Sequence, residues 1–149
     1  MVLVLLLVGA RYDRAPAATI SSGLGEAVDG NTVILNGQYL TLHGIKAPKP
    51  GFKCVIRGRE RDCGRIARAA LLDLMAGATI VCESVTASTY RCKANGYDLS
   101  EGMVYVGYAV PLANAPARYH QELKRAQNKR HGLWRADPAP SVQSIMNSR

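Results

Sequence analysis

Aromatic side chains are scarce in this 149-residue chain, which holds one Trp, one Phe and seven Tyr. That excludes the long base-stacking platforms of a dedicated single-strand binder. Acidic residues are also few, 11 against 19 Lys and Arg, so the net charge is +8. Cys-x-x-Cys spacing is missing, and the 14 Gly and 7 Pro follow no repeat, which argues against zinc modules and collagen-like chains. The apolar run from Val2 to Ala10 is too short to cross a bilayer as a helix.

Hydrophobic residues make up 48% of the chain and charged residues 20%, the balance of one folded domain with its own core. The positive excess points to polyanionic partners and does not choose among nucleic acid, acidic polysaccharide and an anionic membrane surface. Residues 1-18 stand apart. Their apolar run precedes Ala15-Pro16-Ala17-Ala18, the small-residue pattern of a signal-peptide cleavage site. A buried N-terminal strand or a short hydrophobic anchor are the alternatives. Export is the preferred reading, with periplasmic or secreted localisation and no stable membrane span after processing. A globular domain is then expected over 19-137 and a flexible tail over 138-149.

The four cysteines fall in two close pairs, Cys54 with Cys63 and Cys82 with Cys92. Spacings of nine and ten residues suit disulfides between a loop and a helix start, or across neighbouring strands. Of the three possible pairings the two local ones are expected.

Thr32-Val33-Ile34-Leu35 and Tyr39-Leu40-Thr41-Leu42 flank Asn36-Gly37, a strong hairpin signal. A strand is expected over Ile20 to Val28 before it, and a Pro-, Gly- and charge-rich loop over Lys46 to Asp62 after it. Helical spacing runs from Cys63 to Ala76, with Gly77 as C-cap. Strands follow over Ala78 to Val85 and Thr89 to Ala94, then helices from Asp98 to about Ala109 and from Arg118 to His131. The expected class is α+β, mainly β: a five-stranded Greek-key barrel of the oligonucleotide/oligosaccharide-binding (OB) kind with three helices.

Ala27-Val28-Asp29-Gly30-Asn31-Thr32, Leu42-His43-Gly44-Ile45-Lys46-Ala47-Pro48 and Asp62-Cys63-Gly64 resemble the staphylococcal-nuclease-like (thermonuclease) family. So do Gly96-Tyr97-Asp98-Leu99, Met103-Val104, Gly107-Tyr108-Ala109 and Gly132-Leu133-Trp134. The likeness is collinear from about Ile20 to Asp137, and the paired cysteines look like those of secreted bacterial members. The resemblance implies the five-stranded barrel and an ancestral calcium-dependent hydrolysis of DNA or RNA phosphodiesters.

Position by position, the chemistry that reaction needs has changed. Calcium is a hard cation that takes clustered oxygen ligands. The resemblance places two of the family's carboxylate ligands at Asn31 and Lys46, and its water-activating Glu at Lys49. An arginine that neutralises the transition state falls on Thr41. The turn that carries a second arginine is shortened near Ala87-Ser88-Thr89, and Arg91 aligns either with it or with a later residue. Asp29 and Thr32 persist, and both also serve as turn formers. An ammonium in place of a metal ligand turns attraction into repulsion, about 4 kcal/mol for unit charges about 4 Å apart at an effective dielectric of about 20. Metal-dependent hydrolysis is therefore not expected, and neither is a cofactor.

The same changes leave a basic stretch. Lys46, Lys49, Lys53, Arg57, Arg59, Arg61, Arg65 and Arg68 lie within 23 consecutive residues, against Glu60 and Asp62 alone. They are candidate anion ligands, with a solvated loop and outer helix face as the plain alternative. His43 reads as a packed strand-end residue, His120 and His131 as exposed, and Trp134 as core. The expectation is a non-catalytic binder of polyanions (nucleic acid or acidic polysaccharide), or of a protein partner in the cell envelope. The alternatives are a divalent-metal-dependent endonuclease with a rearranged site and a purely structural protein.

Overall fold

A computed structural model describes residues 20-149; the proposed signal segment lies outside the described residues. The chain is a mixed α+β fold made mostly of sheet. The first strands are β1 (Ile20–Gly23), β2 (Gly25–Asp29), β3 (Thr32–Leu35) and β4 (Gln38–Leu42). Asn36 and Gly37 both take positive φ between β3 and β4, as a two-residue type I′ hairpin turn requires. The strand expected from Ile20 to Val28 breaks at Leu24, whose side chain is exposed.

Beyond β5 (Ile45–Lys46), the segment expected to be loop contains a second hairpin, β6 (Lys53–Ile56) and β7 (Arg59–Asp62). Arg57 and Gly58 form its turn, both at positive φ. Helix α1 (Cys63–Met75) follows, capped by the Asp62 carboxylate, which accepts from Arg65 N at 3.0 Å and from Gly51 N at 2.9 Å. Those backbone donors, Arg65 before Gly51, hold the Asp62 carboxyl below its ordinary range. β8 (Ile80–Ser84) and β9 (Thr89–Ala94) then pair antiparallel.

β10 (Tyr97–Asp98) leads into α2 (Leu99–Tyr105), shorter than the helix expected to reach Ala109. β11 (Val110–Pro111) pairs with β5, and α3 (Ala117–Asn128) packs on α2 through Tyr119, Leu123 and Ala126. A 3₁₀ turn at Gly132–Arg135 brings Leu133 and Trp134 into the core. The tail, expected to be flexible, forms α4 (Val142–Met146) and buries Ile145 completely.

The main sheet runs β1-β8-β9-β4-β3-β2, with β10 beside β9; β4 and β9 are parallel and every other pair is antiparallel. Its two ends, β1 and β2, are successive in the chain. Val33, Leu35, Leu40, Leu42, Ile80 and Leu71 of α1 fill the core beneath it. The disulfides join Cys54 to Cys63 and Cys82 to Cys92, the two local pairs. They suit an oxidising compartment, and among the described residues no helix is long and apolar enough to cross a membrane.

Candidate functional site

The turn between β2 and β3 sets the geometry where the resemblance places a metal. Asp29 ends β2 and its Oδ1 accepts from Asn31 N at 2.8 Å. Gly30 is required here, because an added Cβ would come within 2.6 Å of the Ala47 methyl and 3.0 Å of Ala67. That close approach clamps the segment after β5 and helix α1 onto the turn. The Asn31 side chain completes the clamp: its Oδ1 accepts from Ala47 N at 3.3 Å.

Two oxygens that a cation would need are thereby engaged. The third is held more firmly still. Lys49 Nζ donates to Asp29 Oδ2 at 2.5 Å, with the carboxylate side chain 7% exposed and the lysine 29%. The lysine at the expected position of a catalytic Glu has captured the carboxylate that persists from the motif. Lys46, on β5 opposite Val110, is half-buried and makes no ion pair among the described residues. Among these residues no three His, Cys, Asp or Glu side chains gather as metal ligands. The donor set does not fit calcium, which takes six to eight oxygens.

Thr32 and Thr41 are register partners across β3 and β4, and Thr41 also faces Thr89 on β9. His43 Nδ1 meets Thr89 Oγ1 at 2.9 Å, and Thr89 Oγ1 meets Thr86 Oγ1 at 2.7 Å, so this histidine braces the strand ends. Arg91 stands three residues into β9 and faces a cavity of about 810 Å³ toward α2 and α3. Much of the charge there is paired: Arg118 donates to Glu101 at 2.7 Å and to Asp98 at 3.0 Å. Tyr119 donates to Asp98 at 2.6 Å, and burial foremost, with that bond, raises its phenol well above the ordinary value.

The basic stretch does not form one patch. Lys49 is paired, and Arg68 Nε donates to Ala27 O at 2.7 Å as a strut between α1 and β2. Cross-strand partners share a face of a ladder. Lys53 opposite Asp62 and Val55 opposite Glu60 therefore occupy one face of the β6–β7 hairpin. Ile56 opposite Arg59 and Cys54 opposite Arg61 occupy the other. Arg65 is exposed on the first turn of α1. Arg57, Arg59 and Arg61 do converge, lining a cavity of about 520 Å³ with Ile56, Ile66 and Arg135. Arg135 comes from the 3₁₀ turn, and only the fold, not its place in the chain, brings it there. Of the α3 cations, Arg118 and Arg125 bond acidic neighbours, while Lys124 and Lys129 are exposed without one among the described residues.

No protein-family model matches the chain. Among curated proteins it is similar to the succinoglycan biosynthesis protein ExoI of Rhizobium meliloti (strain 1021), 28% identical over 133 residues. That alignment covers 83% of this chain and 70% of the relative.

Proposed function

We propose that the chain is a staphylococcal-nuclease-like module that has lost its metal chemistry and binds polyanions in the periplasm or outside the cell. The strand path supports the fold assignment. When β1 and β2 are taken as one strand kinked at Leu24, five strands follow in the order of a Greek-key OB barrel, its third and fifth parallel.

The observation that carries the loss of catalysis is the Asp29–Lys49 ion pair. A carboxylate whose charge is neutralised by an internal ammonium attracts a cation far less, and a lysine at that point is no general base for water while protonated. What remains in excess is exposed positive charge, concentrated on Arg57, Arg59, Arg61 and Arg65. The relative named for succinoglycan biosynthesis is consistent with a polysaccharide as the polyanion. An assay of plasmid digestion with and without calcium tests the first half: no calcium-dependent cleavage is expected, and clear cleavage overturns it. A salt titration of polyanion binding tests the second. Affinity should fall steeply with salt, and no binding at low salt removes the reading.

A further inference from the structure

We propose that the cavity bounded by the β6–β7 hairpin, α1 and the 3₁₀ turn binds an oxyanion group, carboxylate or sulfate, carried on a sugar of an acidic polysaccharide. The proposal rests on the polyanion reading above and names its site and ligand class. Four arginines, Arg57, Arg59, Arg61 and Arg135, line about 520 Å³ together with the apolar residues Ile56 and Ile66. None of the four is ion-paired among the described residues. The acids nearest in sequence to the hairpin arginines, Glu60 and Asp62, occupy the opposite face of the hairpin, and Asp62 is occupied by backbone donors. Asp137, two residues after Arg135, is exposed and makes no ion pair among the described residues.

The fold holds these like charges together rather than letting them spread. Arg59 and Arg61 are two residues apart on one strand, about 6–7 Å along it. Their hairpin is closed by the Cys54–Cys63 disulfide and tied to the C-terminal segment by Asp137 N donating to Val55 O at 2.9 Å. Arg135 donates through Nη2 to Tyr108 Oη at 3.3 Å, which anchors its guanidinium. Charge that served only solubility would need no such convergence.

The chemistry of the lining selects the ligand. Guanidinium is a planar fork that meets a carboxylate, sulfate or phosphate with two parallel hydrogen bonds. The apolar lining of Ile56 and Ile66 suits the C–H face of a pyranose ring. Among the described residues no aromatic side chain lines the cavity, so a base finds no aromatic platform there. The volume lies in the range of about 300–1,000 Å³ typical of small-molecule clefts, the scale of a sugar unit and not of a duplex.

The test is titration calorimetry of the full chain with polygalacturonate, dextran sulfate, neutral dextran, inorganic sulfate and duplex DNA. Three double variants are compared: Arg59→Gln with Arg61→Gln, Arg59→Lys with Arg61→Lys, and Lys124→Gln on α3 with Lys129→Gln at its C-cap. Circular dichroism confirms that each is folded. The expected result is binding of an acidic polysaccharide and not of dextran. The arginine-to-glutamine pair should weaken it at least about tenfold, the loss of one or two charge-assisted hydrogen bonds. The lysine replacement should recover only part of this, and the α3 pair should change affinity less than about twofold. Equal losses in the hairpin and α3 glutamine variants would overturn the site while leaving the polyanion reading standing. No binding of any polyanion by the native chain would remove both. Inorganic sulfate bound as tightly as the polymers, or duplex DNA bound with the same arginine dependence, would refute the assigned ligand class.

Discussion

Replacing Lys49 by Met removes the counter-charge of Asp29 and leaves a carboxylate side chain, 7% exposed, with the Asn31 backbone N–H as its one hydrogen-bond partner among the described residues. Two unit charges about 3 Å apart at an effective dielectric of about 20 attract by about 5–6 kcal/mol before desolvation is subtracted. Breaking a fully buried pair costs about 3–5 kcal/mol. Lys49 retains 29% exposure, so solvent screens part of the interaction, and about 2 kcal/mol is the expected net loss. For a chain of this length that lowers Tm by about 6–8 °C. Asp29→Asn keeps the bond from Asn31 and removes the orphaned charge, so the double variant should recover more than half of the loss. Urea or thermal unfolding of the two single variants and the double variant closes the cycle. A Lys49→Met chain as stable as the native one would refute the reasoning. So would calcium raising the Tm of the native chain, because it would mean that Asp29 is available to a cation.

Three other outcomes follow from the fold. Ile145→Ala, at a fully buried position of a short helix free to reseat, should cost about 2 kcal/mol and speed amide exchange in residues 142-146 first. Replacing Cys82 and Cys92 by Ser opens a ten-residue separation between adjacent strands and should lower stability by about 2–3 kcal/mol in urea unfolding. Asp62 is held below its ordinary value of 3.8, so its contribution is present above that pH and disappears as pH falls through the folded-state value. Asp62→Asn, which still caps the helix, should therefore flatten the fall of Tm between about pH 5 and pH 2, measured by circular dichroism.

The elements readable from sequence were those with strong local signals. Asn36-Gly37 announces its hairpin because Asn tolerates positive φ, and the Cys63 helix has a clear apolar stripe between Asp62 and Gly77. The β6–β7 hairpin was illegible because Arg57-Gly58 adopts the same left-handed pair of conformations with a residue that rarely does so. α4 was hidden by a Pro- and Ser-rich composition, and what orders it is tertiary burial of Ile145, with Lys49 N donating to Ser148 Oγ at 3.4 Å. At the site, residue types set Asn31, Lys46 and Lys49 where the resemblance expects carboxylates. They could not reveal that Lys49 reaches Asp29, or that Arg135 joins Arg59 and Arg61, because both depend on which loops the fold lays side by side.

The covalent ring between Cys54 and Cys63 makes the hairpin mechanically self-contained. The two feet of this loop are joined by the bridge from Cys54 on β6 to Cys63 at the start of α1, and β6 is further tied to the C-terminal segment through Val55. Exposed positions such as 57, 59 and 61 can then be exchanged with little consequence for the strands beneath. The charge displayed at the tip is thus decoupled from the sheet, like the bit of a tool from its handle.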